Sequence, residues 1–243
     1  MPTNSRMDLR ERAALPLTEV DIQPALIDQV HDRLLAAIVD GTLPPGRRLT
    51  QDNIAEMLGV SRQPVSHAIQ VLKRRGLLVE AGKRGVSVAP IDGRRILDLY
   101  RVREALDGLA AELGAYRIRA GAIPAHEVTA ARSCVVVGFA LSETAAIARF
   151  IEADVAFHAA IHYLSGNSAI AETVAEQWPH FRRSMGLVLA TPEVRARVWS
   201  EHSQILEAIL AGNSVLAGQL ARGHTARAGE ETAGRIERLA SVA

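Results

Sequence analysis

Residues 49–76 read Leu49-Thr50-Gln51-Asp52-Asn53-Ile54-Ala55-Glu56-Met57-Leu58-Gly59-Val60-Ser61-Arg62-Gln63-Pro64-Val65-Ser66-His67-Ala68-Ile69-Gln70-Val71-Leu72-Lys73-Arg74-Arg75-Gly76, and this stretch decides the fold. Thr50 suits an N-cap, and a helix over 51–58 turns Ile54, Met57 and Leu58 inward. Gly59 stops it as a left-handed C-terminal residue. Val60 and Ser61 make the turn, Ser61 caps the next helix, and 62–75 turns Val65, Ile69 and Leu72 inward before Gly76 ends it. Two short helices joined by a tight glycine turn make a helix-turn-helix. Upstream, Ile27, Val30, Leu34, Leu35, Ile38 and Val39 keep helical spacing, Asp40-Gly41 ends that helix, and Pro44-Pro45-Gly46 leaves Arg47-Arg48-Leu49 as a short extended piece. Downstream, Leu77-Leu78-Val79-Glu80 and Val86-Ser87-Val88 flank Ala81-Gly82-Lys83-Arg84-Gly85. They form a hairpin with a basic tip, which is a wing.

The rest of the chain sets limits around this motif. Its 243 residues are 48% hydrophobic and 23% charged, enough to bury a core without staples. Aromatics at 4% favour a core of Ala, Leu, Val and Ile in packed helices. The lone Cys134 excludes an internal disulfide framework and fits a reducing cytoplasm, where the chain is expected to reside. No stretch is apolar for long enough to span a bilayer, so no membrane partner is expected. Residues 1–23 read as a flexible lead-in and not as a signal peptide. The net charge of +1 conceals an asymmetry: residues 24–90 carry nine bases against six acids, and residues 95–243 carry 15 against 16. Lys73-Arg74-Arg75 and Lys83-Arg84 supply the local density that phosphate binding needs.

Residues 24–90 resemble the GntR family of bacterial transcription regulators. The resemblance rests on Gly41-Thr42-Leu43-Pro44-Pro45-Gly46, Leu49, Ala55-Glu56, Leu58-Gly59-Val60-Ser61-Arg62, Pro64-Val65, Ala68, Leu72, Gly76-Leu77-Leu78 and Gly85. Two positions depart from the family pattern: Asp52 and Ser66 stand where family members usually carry DNA-contacting arginines. The recognition helix of such a motif enters the major groove with its first residues. Arg62 can pair with guanine O6 and N7, while Gln63, Ser66, His67 and Gln70 project nearby. Arg47, Arg48 and the wing residues Lys83, Arg84 and Gly85 are placed for phosphate or minor-groove contact.

From residue 91 to 243 strand signals nearly vanish. Helices are expected from Leu97 through Leu113, with Val102 and Leu109 on the apolar face, and at about 125–138, 143–164, 168–189, 192–211 and 214–239. The fold class is therefore mainly α, a winged helix-turn-helix followed by an all-helical ligand-binding bundle. Residues 95–238 resemble the FadR-type C-terminal domain of one GntR subfamily, and six helices match its VanR-type branch. In that domain an aspartate and a histidine one turn apart, with two histidines from the last two helices, commonly hold a metal. The matching residues are Asp154, His158, His202 and His224. Their spacing is also physically sensible. Asp154 and His158 share a helix face. His202 and His224 lie nearly equidistant from the Gly212-Asn213 hairpin, offset by about one residue or ~1.5 Å. Three imidazoles and a carboxylate suit a divalent transition metal, zinc first and nickel or manganese as alternatives, with coordination positions left open. His162, one turn beyond His158, is expected near the site without ligating.

An open metal position implies a small carboxylate effector, with Arg103 as its clamp. The expected function is a ligand-responsive repressor that binds a two-fold symmetric double-stranded operator as a homodimer. A metal-dependent hydrolase using the same residues is the alternative, although no nucleophile elbow, His-Glu-Xaa-Xaa-His motif or P-loop accompanies them.

Overall fold

The computed structural model describes residues 24–82 and 85–241. Elements run α1 (Pro24–Val39), β1 (Arg48–Thr50), α2 (Gln51–Leu58), α3 (Arg62–Arg74), β2 (Leu78–Ala81) and β3 (Gly85–Val88), followed by seven helices. Those are α4 (Gly93–Arg119), α5 (Ala125–Ala140), α6 (Ile147–Ser165), α7 (Ser168–Ala175), α8 (Trp178–Leu189), α9 (Pro192–Leu210) and α10 (Ser214–Ala240). The lead-in 1–23 and the wing residues Lys83 and Arg84 lie outside the described residues.

The amino-terminal elements form a winged helix. Thr50 caps α2 by accepting the Asn53 N–H, and Gly59 closes it at φ 65°, a conformation that burdens any residue with a Cβ. The strands pair antiparallel in the order β1-β3-β2, with Leu49 opposite Val86 and Glu80 opposite Val86 on the other edge. Leu34, Ile38, Ile54, Val65, Ile69, Leu72, Leu77 and Val88 fill the core beneath. Each such side chain contributes about 1.5–3 kcal/mol by leaving water. Two details differ from expectation. Met57 is 63% exposed, because an eight-residue helix turns only Ile54 and Ala55 fully inward. Gly85 opens β3 opposite Thr50 and Ala81 and is not a tip residue; a Cβ there would meet the Ala81 carbonyl at 3.0 Å.

In the helical part, α4 and α10 lie along each other, and α5, α6 and α9 complete the main core through Ala111, Val135, Phe157, Ile161, Leu206 and Ile209. Small residues let α4 and α10 approach: at Gly229 a Cβ would fall 2.6 Å from Tyr100 Cβ. The buried face of α4 is Ile96, Leu99, Tyr100, Arg103, Asp107, Ala110 and Ala111, so Val102 and Leu109 point outward, contrary to expectation. Apolar spacing alone misplaced this helix, because its inward face carries an arginine and an aspartate. Segment 168–189 is two helices, broken at Glu176–Gln177 ahead of Pro179. The bundle thus has seven helices, and the count expected for the VanR-type branch does not hold. The helix expected from about residue 143 begins at Ile147, and the Ser142 hydroxyl accepts the Thr144 N–H in the turn before it.

The two halves are joined through α8. His180 Nε2 bonds the Arg75 carbonyl at 2.8 Å, Arg75 Nη2 donates to the Glu176 carbonyl at 3.1 Å, and Arg183 donates to the Ala89 carbonyl.

Candidate functional site

On the winged helix, Arg62 is the first residue of α3, and its side chain is 73% exposed. Gln63, His67 and Gln70 are exposed on the same helix, and Ser66 is half-buried. Arg47 and Arg48 are exposed at the start of the sheet. Arg62 Nε lies 2.6 Å from Asp52 Oδ1, a pair made by the turn between α2 and α3. Asp52 was noticed in the sequence only as a departure from a pattern, and the contact itself has no local sequence signal.

In the bundle, three helices converge on Asp154, His158, His202 and His224. Each offers one ligand atom, and all four atoms lie within 4.8 Å of one another. Asp154 and His158 come from successive turns of α6, with His158 Nε2 3.7 Å from Asp154 Oδ2. The α9–α10 hairpin folds about Gly212-Asn213, where Asn213 caps α10 by accepting the Leu216 N–H. That brings His202 Nε2 to 3.2 Å from His224 Nε2 and 3.5 Å from Asp154 Oδ1. All four residues are buried.

The surrounding groups decide which nitrogens face inward. Asp107 on α4 takes His158 Nδ1 at 3.3 Å, and Glu201 takes His224 Nδ1 at 2.7 Å. With each Nδ1 proton directed at a carboxylate, each Nε2 presents a lone pair to the cluster. His158 Nε2 is buried with no hydrogen-bond partner among the described residues. Burial first, and then the Arg103 charge, push His158 down to about 4. Burial, His224 and His158 push His202 well below its ordinary value. Burial would raise Asp107, but Arg103 and the two neighbouring histidines outweigh it and hold this carboxyl well below the carboxylate range. An imidazole ligates a cation in its neutral form, the form these shifts favour for His158 and His202. The donor set, the inward lone pairs and the unpartnered His158 Nε2 fit a divalent transition metal.

Arg103 is buried rather than free. Its Nε donates to Asp107 Oδ2 at 3.1 Å, and its guanidinium lies 4.5 Å from the Trp178 ring centre. His162, expected nearby without ligating, bonds Asp107 Oδ1 at 2.7 Å. Thr225 donates to the other Asp107 oxygen. Asp107 is therefore the hub of the site. The sequence reading missed it and missed Glu201, which holds the His224 Nδ1. The signal available was Asp107 four residues after Arg103 on one helix face. A cavity of about 40 Å³ abuts the cluster, lined by Tyr100, Arg103, Asp154, His158, His224 and Thr225 among others.

A winged helix joined to a helical bundle is the build of a DNA-binding transcription regulator. The chain belongs to the GntR family of bacterial regulatory proteins: residues 26–88 match that family and residues 98–227 match the FCD domain. The HTH-type transcriptional regulator YdhC of Bacillus subtilis is 33% identical over 85 residues, 35% of this chain but only 38% of that protein. An HTH-type transcriptional regulator of Streptomyces ambofaciens is 28% identical over 200 residues, 80% of each chain. Among solved structures, the transcriptional regulator GntR of Rhodococcus sp. RHA1 superposes with a TM-score of 0.69 at 26% identity, over 86% of this chain and 97% of that one. The protein is a DNA-binding transcription regulator. The hydrolase alternative falls, since the family and these relatives are regulators and not enzymes. Among the described residues no helix is long and apolar enough to cross a membrane.

Proposed function

We propose that this chain is a cytoplasmic repressor that releases a two-fold symmetric operator when a small carboxylate binds beside a metal in its FCD domain. Residues 24–90 read DNA, and residues 91–243 sense the effector and dimerise. The observation that carries this reading is the convergence of Asp154, His158, His202 and His224 within 4.8 Å, next to a cavity that also holds Arg103. These four residues would hold the metal, zinc in the first instance, and when bound it would supply open positions for a carboxylate oxygen. Asp107 and Glu201 orient His158 and His224, and Asp107 also fixes Arg103 at the cavity wall.

A cavity of about 40 Å³ accommodates little more than water, so an effector has to displace its walls. One wall residue, Arg103, is covered by Trp178 of α8, and α8 also holds the winged helix through His180 and Arg183. Displacing α8 would change how the winged helix is presented, and that is a differential interaction of the kind an effector must make. A second copy of the chain completes the reader. Val102, Leu109 and Tyr116 are exposed at seven-residue intervals along α4, an apolar stripe suited to pairing with another copy.

The test combines three measurements. Elemental analysis compares wild type with His202→Ala/His224→Ala, and sedimentation gives the assembly state. Operator recovered by selection from random duplex is then titrated with a panel of mono- and dicarboxylates. The reading predicts metal in wild type alone, a dimer at micromolar concentration, and operator release by at least one carboxylate. Equal metal content in the two proteins, or a stable monomer with and without operator, overturns it.

A further inference from the structure

The joint between the two halves contains another cavity, of about 290 Å³, which shares no lining residue with the one beside the histidine cluster. Arg74 and Arg75 from the end of α3, Arg95 from the first turn of α4, and His180 and Arg183 from α8 line it. One acid lines it, Asp92, whose Oδ1 accepts the Arg94 and Arg95 N–H groups at 2.9 and 3.3 Å, so a single carboxylate faces four guanidinium charges. None of the four arginines has a carboxylate partner among the described residues. Arg75 Nε is buried without a hydrogen bond, and the polar contacts of Arg75 and Arg183 are to backbone carbonyls, which do not neutralise charge.

Four guanidinium groups around one cavity repel each other unless an anion sits among them. The fields of three of them reach His180: burial depresses its protonation, the bond to the Arg75 carbonyl opposes that, and the charges of Arg183, Arg95 and Arg75 add to the depression. The positive charge is thus gathered around one cavity, where Arg75 and Arg183 are half-buried and Arg74 and Arg95 are exposed. Guanidinium forks match phosphate oxygens in pairs, which a lysine patch does not do.

We infer that this interdomain cavity is a binding site for a small phosphate-bearing ligand, held by Arg74, Arg75, Arg95 and Arg183. Such a ligand bridges α3 to α4 and α8, so it fixes the winged helix against the FCD domain. The same phosphate chemistry is present in the DNA backbone, and the experiment separates the two sources.

Isothermal titration of the full-length protein with inorganic pyrophosphate, free of DNA and at constant ionic strength, is the direct test. Arg95→Ala removes an exposed side chain that makes no hydrogen bond or ion pair among the described residues, so the variant folds, as circular dichroism will verify. The expected result is one saturable site per chain, weakened about tenfold or more by Arg95→Ala and unchanged by Arg62→Ala. Binding at the metal cluster would be indifferent to Arg95→Ala, so that difference isolates the joint. Wild type without saturable binding, or Arg95→Ala titrating like wild type, overturns the inference. So does a pattern in which Arg95→Ala weakens only the affinity for random duplex DNA, which would give these arginines to the DNA backbone.

Discussion

Asp107 is a single carboxylate that serves four groups: Arg103, His158, His162 and Thr225. Its removal unfastens the imidazole of His158 and leaves the buried Arg103 charge without its partner. Asp107→Asn keeps the shape and loses the charge, and a metal-competition titration should read a 10–100-fold weaker metal site, the usual effect of losing a second-sphere carboxylate. Retained metal affinity would show that His158 needs no such orientation. The histidines also give the metal-free protein a pH signature. Unfolded, His158 titrates near 6.5; folded, it is pushed down to about 4. Between those values the unfolded chain binds more protons, so stability rises with pH. Urea melts of chelator-treated protein at pH 5 and pH 7 should therefore show the lower stability at pH 5, with a slope of about 1.4 kcal/mol per pH unit from this one group. At the other functional surface, Arg62→Ala should weaken specific DNA binding by about 1–3 kcal/mol and relax one guanine position in each half-site, read by binding titrations on variant operators. Asp52 now enters that account, since a carboxylate 2.6 Å from Arg62 Nε restrains the guanidinium before DNA arrives.

Among the elements, those closed by local chemistry were legible in the sequence. Thr50, Gly59, Gly76 and Asn213 all mark helix ends where the structure has them, because capping depends on neighbours within one turn. The metal-site candidates were legible mainly through the resemblance to the FadR-type domain, and their spacing agreed with it: one pair is i, i+4 and the other is symmetric about a short hairpin. What stayed hidden depends on contacts far apart in sequence. Val102 and Leu109 looked like core because they are apolar, yet α4 turns Arg103 and Asp107 inward to meet α6, α8 and α10. The break between α7 and α8 followed no glycine. The α4–α10 contact supplies an element-scale prediction. Gly229→Ala places a methyl 2.6 Å from Tyr100 Cβ, an atom too close to its backbone to swing away. Overpacking should outweigh the helix propensity gained and cost about 1–3 kcal/mol, read as a lower midpoint in thermal or urea melts.

On the scale of the molecule, α4 is one rod of 27 residues that belongs to both halves. Its first turn brings Arg95 to the joint, and eight residues later Arg103 reaches the histidine cluster. At 1.5 Å and 100° per residue, those two side chains are about 12 Å apart along the axis, with an angular offset of about 80°. Under the proposed function, that offset is a phase setting between the reader and the sensor. One alanine inserted between Leu97 and Asp98 would advance the rod by ~1.5 Å and turn everything before it by ~100°. Neither the winged-helix core nor the cluster includes the insertion point, so operator binding and metal content should both survive, each measured alone. Their correlation should not: carboxylate would no longer shift operator affinity, nor operator shift carboxylate affinity, since coupling through a shared part is lost in both directions at once. Restoring the register with a compensating deletion in the same stretch should bring the response back, as expected of a transmission whose gears are out of phase and not broken.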